Sequence, residues 1–271
     1  MKNKIIVPRY NDPRWVLLLF FSIYIIYSFY MPNFGRSVWQ LVASVLTALI
    51  FDALITYKRK KVLFFSLSGF TASLGICFLM FSEHIWPFVV AAFFTVISKQ
   101  YIKYKNKHIF NPNNFGLIIT LLFFSDYVAT TTGRWDNGII LPILFIAMGI
   151  VITYKVKRLD LAFCHIMFFT VFTFIRYFLN MDQNLMHMFL PMTGPVFYLY
   201  TFFHITDPVT TPRTRRGRVV FALIVAFIDA ILRHNQVLYS PFYALFIATI
   251  IKQLLPNILP IQDSKDIWIY K

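Results

Sequence analysis

The sequence predicts an all-α polytopic membrane protein of about ten transmembrane helices, arranged as two inverted five-helix repeats. Three observations predict it. Hydrophobic residues make up 58% of the 271-residue chain and charged residues only 14%, against about 25% charge in soluble domains. Apolar runs of membrane-spanning length recur from end to end, and no stretch is long and polar enough for a soluble domain. When those runs are counted as alternating spans, all of the 26 Lys and Arg except Arg36, Arg134, Arg176 and Arg233 fall on one side.

Taken in order, the expected spans are 15–31, 37–56, 62–81, 85–98, 114–127, 138–154, 161–179, 187–205, 218–232 and 239–257. The segment before the first is too polar for a signal peptide and no small-residue cleavage site follows it, so the first span is expected to be retained. Basic residues then recur after every second span: Lys58–Lys61, Lys99–Lys107, Lys155–Arg158 and Arg213–Arg218. The positive-inside rule places both termini in the cytoplasm. The net charge of +15 is thereby a topology signal with attraction to anionic lipid, not a nucleic-acid footprint. The expected organisation is one membrane domain over 1–271: a first repeat at 15–127, a second at 138–257, and a cytoplasmic tail at 258–271. Cys77 and Cys164 fall near opposite faces and are not expected to pair.

The repeat rests on paired signatures. Ser68-Gly69 opens the third span and Thr193-Gly194 the eighth; Asn111-Pro112 precedes the fifth and Ser240-Pro241 the tenth, at similar separations. A capping residue followed by proline reads as a helix start. Five spans per half make the second half run opposite to the first, as in transporters whose sites lie where broken helices meet. Close helix packing through small residues produces the same pairs without a repeat.

Two stretches carry candidate chemistry. "FNPNNFG" places Asn111, Asn113, Asn114 and Gly116 at the mouth of an apolar helix. Their amides suit the ring edge or phosphate of a ligand, and equally the capping of an irregular backbone at membrane depth. Gly116 allows a second helix or a planar ligand to approach closely. "HITDPVTTPRTRRGR" places Thr206, Asp207 and Thr210 before four arginines whose guanidinium forks suit phosphate; a purely structural loop fits as well. Asp207-Pro208 reads as another cap and first-turn proline. Within spans, Asp52 is expected to snorkel toward or pair with Lys58-Arg59, and Asp229 to pair with Arg233 one turn on, because an ionised acid at bilayer depth costs roughly 2.5–3.5 kcal/mol. His165 and His204 lack a second ligand at metal spacing, so no metal is expected.

The order Thr-Asp-Pro-Val-Thr, a basic residue, Gly-Arg, then an apolar helix ending Ile-Leu-Arg resembles a segment of the NqrB/RnfD family, membrane subunits of ion-pumping NADH:quinone and ferredoxin:NAD oxidoreductases. "SKQYIKYKNKHIFNPNNFG" resembles the family's Lys-Gln, spacer, Phe-Asn-Pro, Gly segment, and looks closer still to short UnbU-like relatives. The resemblance covers about 60–127 and 185–255 and implies two inverted five-helix repeats. It also implies a flavin mononucleotide joined through its phosphate to a threonine of a Ser/Thr-Gly-Ala-Thr-like motif after the fifth span. Here that region is "SDYVATTTGRWDNG"; Ala129-Thr130 is present but the preceding Ser/Thr-Gly is missing, and "MTGP" at 192–195 lacks Ala-Thr. Thr130 is the candidate for covalent attachment, and non-covalent FMN or riboflavin is the preferred cofactor.

The expected function is accordingly a subunit embedded in a bacterial inner membrane that supports flavin- or quinone-linked electron transport, with coupling to ion movement, as part of an oxidoreductase with partner redox subunits; it is not expected to be catalytic alone or to have a nucleic-acid partner. The alternative is an inverted-repeat transporter or channel for a small solute or ion, without a redox role. Asn111, Asn113, Asn114, Gly116, Thr193, Gly194, Thr206, Asp207 and Thr210 are the candidate cofactor-binding residues.

Overall fold

Helices account for nearly all the ordered secondary structure of a computed structural model that describes residues 5–6, 14–31, 34–64, 66–130, 139–179 and 184–260. The chain divides into two compact units, Met1–His108 with Pro112–Thr131, and Ile109–Asn111 with Thr132–Lys271.

The first unit contains α1 (Arg14–Ser28), α2 (Val38–Lys60), α3 (Leu67–Leu79), α4 (Trp86–Tyr101) and α5 (Pro112–Phe123). α2 begins in a capping box: the Ser37 hydroxyl accepts from Gln40 N at 3.2 Å while Gln40 Oε1 accepts from Ser37 N at 2.9 Å. This satisfies two amides the helix start would otherwise leave orphaned. α3 is the core rod, with most of its residues buried, from Leu67 and Gly69 through Leu79. Two of its polar side chains are satisfied within the helix, where the Thr71 and Ser73 hydroxyls donate to the carbonyls of Leu67 and Gly69 one turn back. Past its end, Met80–Phe81 pairs antiparallel with Ala129–Thr130. Arg36, buried there, donates to the carbonyls of Phe34, Phe78 and Met80, and burial pushes its guanidinium down to about 10.

The second unit contains α6 (Ile140–Lys155), α7 (Leu159–Leu179), α8 (Leu185–Phe189), α9 (Pro195–Leu199), α10 (Arg215–His234) and α11 (Ser240–Leu254). The expected eighth span is not one helix. A 3₁₀ turn over Leu190–Thr193 follows α8, Gly194 is extended, and α9 runs into a π-helical turn at Tyr200–His204. Pro191 and Pro195 explain the interruption, since each lacks an amide for the helical ladder. The π turn closes through Ile205 N to Tyr200 O at 3.1 Å.

Only α2 and α7, among the described residues, are long and apolar enough to cross a bilayer by length and composition. α3 and α5, with 13 and 12 residues, fall short of the ~20 that ~30 Å of hydrocarbon requires. The expected spans 62–81 and 114–127 are therefore shortened. Ser66 caps α3 late and extended backbone at Met80 stops it early. Large apolar side chains nonetheless face outward in both units, among them Leu19, Ile23, Trp39 and Leu54 in the first and Ile139, Phe178, Leu179 and Leu238 in the second. A surface of this kind suits a hydrocarbon surrounding.

Candidate functional site

The threonine- and arginine-rich loop is a built structure in the second unit. Asp207 organises its first half as a turn, not as a helix start: Oδ1 accepts from Val209 N at 2.9 Å, and its carbonyl accepts from Thr210 N and Thr211 N at 3.2 and 3.1 Å. This corrects the expectation that Asp207-Pro208 opens a helix. An aspartate side chain that caps its own backbone two residues on favours a turn. The helix start falls instead at Thr214, whose hydroxyl accepts from Gly217 N at 3.1 Å. The Thr206 hydroxyl donates back to the Phe202 carbonyl.

Three long side chains brace the loop from other elements. Lys252, on α11 and only 2% exposed, donates its ammonium to the Thr210 carbonyl. Arg158, just before α7, donates Nε to the Thr211 hydroxyl at 2.7 Å. Burial, then the neighbouring Arg218, pushes Arg158 down to about 10, against the pull of Asp160 and Asp207. Arg218 makes a forked pair with Asp160, with Nη2 to Oδ2 at 2.6 Å and Nε to Oδ1 at 3.0 Å. Arg213, Thr214, Arg215 and Arg216 remain exposed, a basic face at the start of α10.

Next to this loop lies a small aromatic and imidazole group. His204 is buried, and its Nδ1 has no hydrogen-bond partner among the described residues. Its ring lies near parallel to Tyr200, centroids 6.3 Å apart, and edge-on to Phe242. The backbone carbonyl of His204 accepts from Asn111 Nδ2 at 3.3 Å. The second unit thus brings Asn111 to the backbone of His204, with Thr206, Asp207 and Thr210 in the turn that follows it in the chain; sequence reasoning did not single out His204 for a cofactor. Its only signal was an imidazole inside an apolar run. A buried ring nitrogen without a partner is an uncommon feature of a folded chain.

The other candidates stand elsewhere. Thr193 is exposed and donates to the Leu190 carbonyl at 2.7 Å, and Gly194 supplies the extended joint before α9. In the first unit Asn114 is buried on α5, and Asn113 lies against Gly75 of α3. Gly116 is a packing residue: a Cβ there would run into the Ala91 carbonyl and the Thr95 side chain of α4. Of the two roles its sequence context allowed, the structure shows the close approach of a helix. Thr130 is 4% exposed and paired with Met80, so its hydroxyl does not stand open for an attached phosphate. The rest of that stretch, 131–138, and the tail from 261 lie outside the described residues.

The acids within apolar runs divide. Asp229 pairs with Arg233 at 2.8 Å as expected and also accepts from the Ser240 hydroxyl at 2.6 Å. Ser240 therefore serves Asp229 and not as the α11 cap, a position held by Tyr239. Asp52 does not turn to Lys58-Arg59. It pairs with Lys99 of α4 at 2.6 Å and accepts from the Gln100 amide. The two local cations lie at the last, exposed turn of α2, whereas Lys99 reaches the buried carboxylate from α4.

Comparison with known proteins bears out the family resemblance over its second segment, 185–255, and leaves the segment 60–127 outside the match. Residues 137–260 match the NQR2, RnfD, RnfE family. A similar protein is a subunit of the ion-translocating oxidoreductase complex of Psychromonas ingrahamii, 30% identical over 123 residues, which are 44% of this chain. The aligned stretch spans about a third of that relative, 33% of its length.

Proposed function

We propose that the chain is a membrane-embedded subunit of an electron-transport complex, supporting flavin- or quinone-linked electron transfer together with partner redox subunits. The observation that carries this reading is that the family match over 137–260 contains the whole braced loop from Thr206 to Arg218 and the π turn before it. Two inverted five-helix repeats belong to the same proposal. Support comes from the division of the chain between Thr131 and Thr132, inside the linker expected between the halves. The outward apolar faces support an inner-membrane setting, and the one-sided basic loops support cytoplasmic termini.

FMN or riboflavin held without a covalent bond is the proposed cofactor, and it supplies reversible electron transfer when bound. Asn111, anchored on the His204 carbonyl, orients the polar edge of the ring. His204 offers Nδ1 as a hydrogen-bonding atom in a dry setting, and Tyr200 and Phe242 keep water away from it. Thr206, Asp207 and Thr210 shape the neighbouring turn, and the exposed arginines face the phosphate in the case of FMN.

The test is the visible spectrum of the purified chain. A yellow protein with flavin's near-ultraviolet and blue bands, bleached by dithionite and weakened in Asn111→Ala and His204→Ala, is the expected result. Extraction and chromatography then tell FMN from riboflavin. The interrupted helical run from Leu185 to His204 favours a second reading, an ion or solute transporter. A colourless protein that moves solute across vesicle membranes establishes that reading and refutes the first.

A further inference from the structure

The first unit holds a polar cradle that neither the family match nor the flavin reading uses. The Lys99 ammonium sits among three oxygens, Asp52 Oδ2 at 2.6 Å, Ser68 Oγ at 2.7 Å and Ser66 Oγ at 3.1 Å. These come from α2, from the first turn of α3 and from the residue that caps it. Asp52 is 2% exposed, whereas the Lys99 side chain retains 23% of its surface. The amine has a way out to its surroundings, and the carboxylate has none.

The oxygens are also fixed by contacts that do not involve Lys99. Gln100 holds Asp52 Oδ1. Gly69 N donates to Ser66 Oγ at 3.0 Å, and the two serine hydroxyls lie 3.3 Å apart. Gly69 packs directly against this shell, since a Cβ there would stand 3.1 Å from Ser66 Oγ and 3.5 Å from Asp52 Oδ2. Gln100 is in turn held through its carbonyl by Arg59 at 2.9 Å. A carboxylate and two hydroxyls converging on one buried point form a hard-oxygen shell, the donor set that suits a small hard cation.

We propose that Asp52, Ser66 and Ser68 form a monovalent-cation site whose tethered occupant is the Lys99 ammonium, so that Na⁺ or K⁺ enters when the side chain swings out. The ammonium and the alkali cation carry the same charge into the same shell, and they therefore exclude one another. Lys99 acts as a built-in competitor that keeps the site closed at low salt and yields it at high salt.

The experiment uses the full chain in detergent, unfolded by heat and followed by tryptophan fluorescence in NaCl, KCl and choline chloride at one ionic strength. Lys99→Met removes the competing charge from the shell and is expected to gain a saturable rise in Tm in NaCl or KCl over choline chloride. The rise is about 2–4 °C once the salt exceeds its dissociation constant about fivefold. Asp52→Asn/Lys99→Met is expected to lose that difference. The wild-type protein gives a reading that needs no substitution: an amine-acylating reagent, with sites mapped by mass spectrometry, modifies Lys99 faster in NaCl or KCl than in choline chloride, while Lys58 on the exposed turn keeps its rate. Equal Tm values for folded Lys99→Met in all three salts overturn the proposal. So does a Lys99 modification rate indifferent to the cation, or a cation effect that survives in the double variant.

Discussion

Gly116 separates a packing role from a ligand-binding one, and substitution by alanine decides between them. At position 116 the new methyl meets the Ala91 carbonyl and the Thr95 side chain, and lies 3.0 Å from Thr95 N. Two of those three obstacles are backbone of α4, so no rotamer change relieves the clash and α4 and α5 must move apart. Overpacking of this kind costs about 1–3 kcal/mol, and the absence of a flexible partner puts Gly116→Ala at the upper end. Replacing glycine in a helix returns about 1 kcal/mol, leaving a net loss of about 2 kcal/mol, or roughly 4–8 °C in Tm for a chain of this size. Gly75→Ala is the internal control. There the methyl meets only the terminal amide of Asn113, which can rotate away, so the helix gain is kept and Tm stays level or rises slightly. Both are read by thermal unfolding in detergent, with flavin content measured alongside. An unchanged Tm for Gly116→Ala, or a larger loss for Gly75→Ala, refutes the packing argument. A loss of bound flavin without loss of stability shows instead that Gly116 faces a ligand.

Two further substitutions probe the second unit. Asp229→Asn leaves Arg233 without its carboxylate in a largely buried setting and is expected to lower stability toward the low end of the about 3–5 kcal/mol typical of a broken buried pair. Asp229→Asn/Arg233→Met recovers most of it in the same denaturation assay. Thr211→Val removes the acceptor for Arg158 Nε and is expected to cost about 1–3 kcal/mol through an unsatisfied buried donor. Limited proteolysis should then cut first in the 206–217 loop.

Much of the helical frame was legible because its signals are local. Asn111-Pro112 and Ser240-Pro241 do mark the starts of α5 and α11, since proline pre-sets the first turn whatever surrounds it. The i,i+4 pair of Asp229 and Arg233 follows from helical spacing alone. What sequence could not show was the length over which an apolar run stays helical. Hydropathy does not see the late cap at Ser66 or the extended residue at Met80, so α3 emerges shorter than its apolar run. Pro191 and Pro195 were visible as letters. Their effect on the eighth run required knowing that no neighbouring group restores the ladder between them.

The 206–218 loop was legible as a segment, while the way it is held together was not, for one physical reason. Buried polar atoms must be satisfied, and in the 206–218 loop the chain supplies the partners itself over long sequence distances: Arg158 for Thr211, Lys252 for Thr210, Asp160 for Arg218. Each brace joins residues separated by more than one helix, so neither periodicity nor local motif reveals it. The consequence bears on function. Thr206 and Asp207, the residues that looked most like ligand contacts, already engage the backbone around them, and their polarity is what lets an irregular turn persist beside apolar helices. The unmet hydrogen-bonding capacity in this group falls instead on His204 Nδ1. A ligand here therefore gains most from the imidazole at the end of the π turn, with the threonine–aspartate turn holding that imidazole in place.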